Sequence, residues 1–100
     1  MFGTIGRGTL KPGQEAQLRA LFAGWEKTVH PLIPGDFVEL QGHHAGKPLE
    51  VVFVALAQDE ATYRRLAELP EQHAIYLRLR ELFTGDITWE DVDMAWAIPG

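Results

Sequence analysis

Residues Glu50 to Ala57 read Glu-Val-Val-Phe-Val-Ala-Leu-Ala, and this run limits the possible folds more than any other stretch of the chain. Seven apolar residues in succession leave neither face of a β-strand suited to water, so such a strand must be covered on both sides. In a chain of 100 residues, two helical segments can cover one face of a small sheet. The other face then needs a layer from outside the chain, and the simplest source is a second copy. A homodimer joined sheet to sheet is the first expectation.

Length and a hydrophobic content of 46% fit one domain spanning residues 1 to 100. A chain this short buries a modest share of its surface alone, and pairing improves that share. The net charge is −5 and the nine Lys and Arg are scattered, which argues against a nucleic-acid partner or an anionic membrane surface. There is no Cys, so disulfides, thiolate nucleophiles and Cys-ligated metals are excluded. No leader and no long apolar run is visible, making a cytoplasmic location the expectation.

Residues Met1 to Leu10, loosely alternating and rich in Gly, read as a first strand. Lys11-Pro12-Gly13 follows, with Pro12 suited to the first turn of a helix. Leu18, Leu21, Phe22, Trp25 and Val29 then recur at helical spacing, which predicts an amphipathic helix. His30-Pro31-Leu32-Ile33-Pro34-Gly35 breaks it. Asp36 to His44 reads as a strand, and Ala45-Gly46-Lys47-Pro48 as a hairpin turn into the apolar strand. Asp59 is placed to cap a helix through Leu69, and Pro70 opens a second helical piece to about Phe83, stopped by Gly85. Val92, Met94, Trp96 and Ile98 then alternate as a last strand. The order β-α-β-β-α-β is the α+β, ferredoxin-like sandwich, an antiparallel sheet with its helices on one face.

Three stretches carry a likeness to a known family: Leu10-Lys11-Pro12-Gly13, the strand from Leu49 to Ala57 with Gln58-Asp59-Glu60-Ala61 after it, and Leu69-Pro70-Glu71-Gln72-His73 before Tyr76-Leu77. Through them the chain resembles, over nearly its whole length, the antibiotic biosynthesis monooxygenase-like group of the dimeric α+β barrel superfamily. The resemblance implies two sheets facing each other across a dimer, with a small-molecule pocket between sheet and helices. Its members include oxygenases that oxidise aromatic polyketides without metal or flavin, haem-degrading enzymes, and proteins of no assigned activity. Haem-degrading relatives use an Asn on the first strand and a Trp on the helix after the third. The best-matching positions here are Gly6 and Arg65, and His73 lies out of register with the iron ligand, so haem degradation is only a weak alternative.

The residues themselves narrow the chemistry further. His43 and His44 are strand neighbours and point to opposite faces, no tight cluster of His and carboxylates occurs, and no metal is expected. With neither Ser nor Cys, Ser-His-Asp and Cys-His sites are excluded. Gly3, Gly6 and Gly8 lack phosphate-loop spacing and suit close backbone packing or a ligand's approach. Trp25, Trp89, Trp96, Tyr63 and Tyr76 can stack on a flat substrate or simply pack, with Trp96 expected in the core or at the dimer face. Asp91 and Asp93 share a strand face that is better read as solvated than as acid-base machinery.

On the second helical piece, Ile75, Leu79, Leu82 and Phe83 form an apolar stripe with His73, Tyr76 and Arg80 at its margin. His73 is the candidate base and Arg80 the candidate stabiliser of the resulting anion, with Tyr76 and Trp25 as candidate substrate-binding residues. The competing reading has Arg80 paired with a surface carboxylate and His73 capping a helix turn. The leading functional expectation is binding of a small aromatic molecule and its oxidation without any cofactor. A non-catalytic ligand-binding or structural homodimer is the rival, with isomerase or decarboxylase chemistry behind it.

Overall fold

The protein is described by a computed structural model covering residues 1 to 95; Trp96 and Ile98 of the expected last strand lie outside the described residues. Four strands, β1 (Phe2–Leu10), β2 (Phe37–His44), β3 (Lys47–Ala57) and β4 (Phe83–Asp93), form one sheet in the order β2-β3-β1-β4. All three pairings are antiparallel. Helices α1 (Glu15–Thr28), α2 (Glu60–Glu68) and α3 (Pro70–Glu81) complete the ferredoxin-like α+β fold. Among the described residues no helix is long and apolar enough to cross a membrane.

The helix stripes explain how the layers meet. Leu21 and Trp25 of α1 are buried, Leu18 and Phe22 pack beside them, and Val29, at the C-terminal end, is wholly enclosed. Each fully buried side chain of this size contributes roughly 1.5–3 kcal/mol. The α1 helix begins at Glu15, later than Pro12 implies, because Lys11-Pro12-Gly13 forms a turn in which Gly13 takes φ +83°. At α2, the Asp59 carboxylate accepts a hydrogen bond from the Thr62 N–H at 2.8 Å, which closes the first turn and holds the Asp59 pKa down. Pro70 occupies the first turn of α3, where its missing N–H costs nothing.

The last strand differs from its sequence reading. Gly85 does not stop a helix; α3 ends at Glu81 and Phe83 already opens β4. The register against β1 shifts between Arg7 and Thr9, and Gly85 stands at φ +73° within this bulge. Phe83, Ile87 and Trp89 keep one parity, but Gly85 leaves a gap in the apolar series, which hides the start of the strand from a period-two search. Phe83 is therefore buried from the sheet side, not from the helical stripe.

Strand parity sorts the rest. Val51, Phe53, Ala55 and Ala57 of β3 alternate with Val52, Val54 and Leu56 on the opposite face. The first set meets the helices, and Val51, Phe53 and Ala57 are buried. In the second set, Leu56 and Val54 lie in the cross-strand rows Val38–Leu56–Gly3–Val92 and Leu40–Val54–Ile5–Glu90, on the face away from the helices. Leu40, on the edge strand β2, is 61% exposed.

Candidate functional site

The helix-facing side is not filled evenly. Leu10, Leu21, Val51, Phe53, Leu79 and Phe83 close one core cluster, and Trp25, Val29 and Leu66 form a second. Among the residues around them is a cavity of about 350 Å³. Its size is that of a small-molecule site, and its walls are largely apolar with a few polar groups, the usual character of such sites.

Each wall follows from the local periodicity. Helix α3 presents Gln72, Ile75, Tyr76 and Leu79, spaced i, i+3, i+4 and i+7, with His73 beside them. From α1 come Phe22 and Trp25, and from α2 Tyr63, Leu66 and Ala67. The sheet supplies Thr4, Phe37, Glu39, Phe53, Ala55 and Trp89. Gly6 lies in register between Phe53 and Trp89, and a Cβ there would meet the Trp89 ring at 2.6 Å and the Phe53 ring at 3.0 Å. The missing side chain lets these two rings lie near parallel, 19° apart with centroids 6.1 Å apart.

Polar groups tie the walls together. Trp25 Nε1 donates to Gln72 Oε1 at 2.6 Å, joining α1 to α3 across the cavity margin. His30, in the 3-10 turn after α1, stacks on Trp25 and pairs with Glu26 at 2.9 Å. Tyr63 donates to Asp91 at 3.3 Å, and burial with the Asp91 charge pushes its phenol pKa up. Asp91 also meets Arg64 at 3.3 Å, which makes it a structural partner of α2.

Glu39 is the residue the sequence reading missed. Its helix-facing position on an edge strand puts a half-buried carboxylate on an apolar wall, and this desolvation raises its pKa. Glu26 adds to the rise, while a 3.0 Å hydrogen bond from Gln41 Nε2 and the proximity of His30 oppose it. The available signal was parity: Phe37, Glu39 and Gln41 share a face that alternates with Val38 and Leu40.

Of the four sequence candidates, Trp25, His73 and Tyr76 line the cavity. Arg80 does not; it is exposed, with its guanidinium carbon 6.0 Å from the Tyr76 ring centroid, at the outer limit of a cation–π contact. Among the described residues Arg80 has no carboxylate within ion-pair distance. His43 and His44 lie on exposed backbone at the hairpin end, remote in register from the cavity's sheet wall.

Solved structures resemble this fold. A mutant of SnoaB, a cofactor-independent oxygenase from Streptomyces nogalater, aligns with a TM-score of 0.80 over 99% of this chain and 97% of its own, at 21% identity. A protein named antibiotic biosynthesis monooxygenase aligns with a TM-score of 0.75 over 99% and 100%, at 19% identity. A conserved protein from Methanosarcina mazei Go1 gives 0.78 over 91% and 89%, at 11% identity. No family model and no curated protein matches the chain. The chain thus has the fold of the antibiotic biosynthesis monooxygenase-like proteins, and at these identities the likeness is one of fold.

Proposed function

We propose that the protein is a cytoplasmic homodimer that binds a small, largely apolar aromatic molecule in this cavity and oxidises it with dioxygen, using no metal, haem or flavin. The observation that carries this reading is the cavity itself: aromatic walls from α1, β3 and β4 around the imidazole of His73 and the phenol of Tyr76. SnoaB, of like fold, is named a cofactor-independent oxygenase.

In this reading His73 takes a proton from an electron-rich phenol or enol. The substrate anion gives an electron to dioxygen, the two radicals join as a peroxide, and loss of water leaves a carbonyl. A CH₂ group and O₂ thus become C=O and H₂O, so the balance needs no outside reductant. Trp25 and Tyr76 hold the rings, and the imidazolium formed on His73 by the proton transfer is the cation that faces the anion. The homodimer reading rests on the bare sheet face, where Val38, Leu40, Val54, Leu56 and Ile5 form a contiguous apolar patch that an isolated soluble protomer rarely exposes.

The test is oxygen uptake with a panel of hydroxynaphthalenes and anthrones, with chelator present. Stoichiometric uptake that falls at least tenfold in His73→Ala supports the oxygenase, since a positioned base contributes about 10²–10⁴-fold. Calorimetric binding without uptake supports the second reading, a non-catalytic ligand-binding dimer. One observation favours that alternative: among the described residues His73 has no side-chain hydrogen bond to orient its ring as a base.

A further inference from the structure

We propose that Glu39 sets the ligand class of the cavity: it selects aromatic molecules that bring a hydroxyl or amine donor toward β2 and turns away carboxylates and sulfonates. The inference rests on the cavity being a small-aromatic site, as proposed above, and names the chemistry that such a site accepts.

The charge inventory points one way. Among the described residues the lining holds one carboxylate, Glu39, one imidazole, His73, and no Lys or Arg. The expected anion partner, Arg80, stands outside it. An anionic ligand would therefore meet the half-buried Glu39 with no fixed cation opposite, and like charges at short range repel. A ligand hydroxyl finds the reverse. Gln41 donates to Oε1 of Glu39, while Oε2 has no hydrogen-bond partner among the described residues. Phe37 lies two residues from Glu39 on the same strand face, and Trp25 packs on Phe37 with ring centroids 5.2 Å apart, so the carboxylate borders an aromatic wall of the cavity. Oε2 is not enclosed, so it is free to accept from a ligand donor that takes the place of water.

The titratable groups around Glu39 are Glu26 on α1, His30 on the following turn, and Tyr63 and His73 on the α2 and α3 walls. Its raised pKa means that Glu39 neutralises above the ordinary carboxylate range as pH falls. Exclusion of anions should relax over that interval, and a component due to His73 is separable by substitution.

Calorimetry with naphthalene, 2-naphthol and naphthalene-2-sulfonate tests the proposal on the full chain. The expected order at neutral pH is 2-naphthol tightest and the sulfonate weakest, with roughly tenfold or more between them, the scale of a hydrogen bond to a charged group. The near-isosteric Glu39→Gln should narrow that ratio severalfold and remove the Glu39 component of the gain in sulfonate affinity on acidification. In His73→Ala the Glu39 component of that gain should persist. Equal affinity of the parent for 2-naphthol and sulfonate, or a ratio unchanged in Glu39→Gln, overturns the role of Glu39 and leaves the cavity reading standing. If none of the three probes binds, the cavity reading falls and this inference falls with it.

Discussion

The two faces of the sheet solve opposite problems with the same strands. On the helix side β3 offers Val51, Phe53, Ala55 and Ala57, and the helices cover them incompletely, leaving the cavity. On the other side Val52, Val54 and Leu56 meet no helix, and their row continues through Leu40 and Ile5. A hollow with polar groups on its walls suits a ligand; a broad apolar face without one suits another flat surface. The contrast teaches that adjacent residues of one strand carry different tasks, and substitutions one position apart should fail in different ways.

The largest effect is expected at Val54. Val54→Asp places a carboxylate at the middle of the bare face; in a sheet-to-sheet dimer this costs several kcal/mol per copy. Sedimentation should show the parent as a dimer at micromolar concentration and the variant as a monomer or unfolded. A folded monomer in the parent would break the comparison, since the bare face would then have no partner.

Phe53→Ala, one residue away, should leave self-association intact while lowering stability by about 3–5 kcal/mol, because the ring belongs to the buried core. Thermal melting alongside sedimentation separates these two readouts. Loss of both together would mean that the faces are coupled. Gly6→Ala sharpens the helix side with a smaller change. Its new Cβ collides with the Trp89 and Phe53 rings, an overpacking that costs about 1–3 kcal/mol. The half-exposed Trp89 ring can yield, so the melting temperature should drop less than in Phe53→Ala while naphthalene binding weakens.

Much of this arrangement was legible in the residues. The stripe from Leu18 to Val29, the Asp59 cap, the break at Leu69-Pro70 and the doubly apolar strand are local signals, and each marks an element of the fold. The start of β4 was not legible, because Gly85 reads as a helix stop in one dimension and as a bulge only when β1 is beside it. Glu39 was hidden for a related reason: a carboxylate on a short edge strand looks solvated until α1 and α3 are laid above it. Arg80 shows the converse. Helical spacing put it at the margin with His73 and Tyr76, but spacing does not say how far along the helix the cavity extends.

The placing of Trp25 and Trp89 gives the cavity two natural fluorophores of different colour. Trp25 is 6% exposed and its indole N–H is bound to Gln72, whereas Trp89 is 42% exposed on the sheet side. Buried indoles emit toward the blue and wetter ones toward the red. A molecule entering from the Trp89 side would shift the red component first, and one that disturbs the Trp25–Gln72 link would change the blue. With the third tryptophan replaced in Trp96→Phe, the direction of ligand entry, and which wall it rests on, can be read from the emission spectrum.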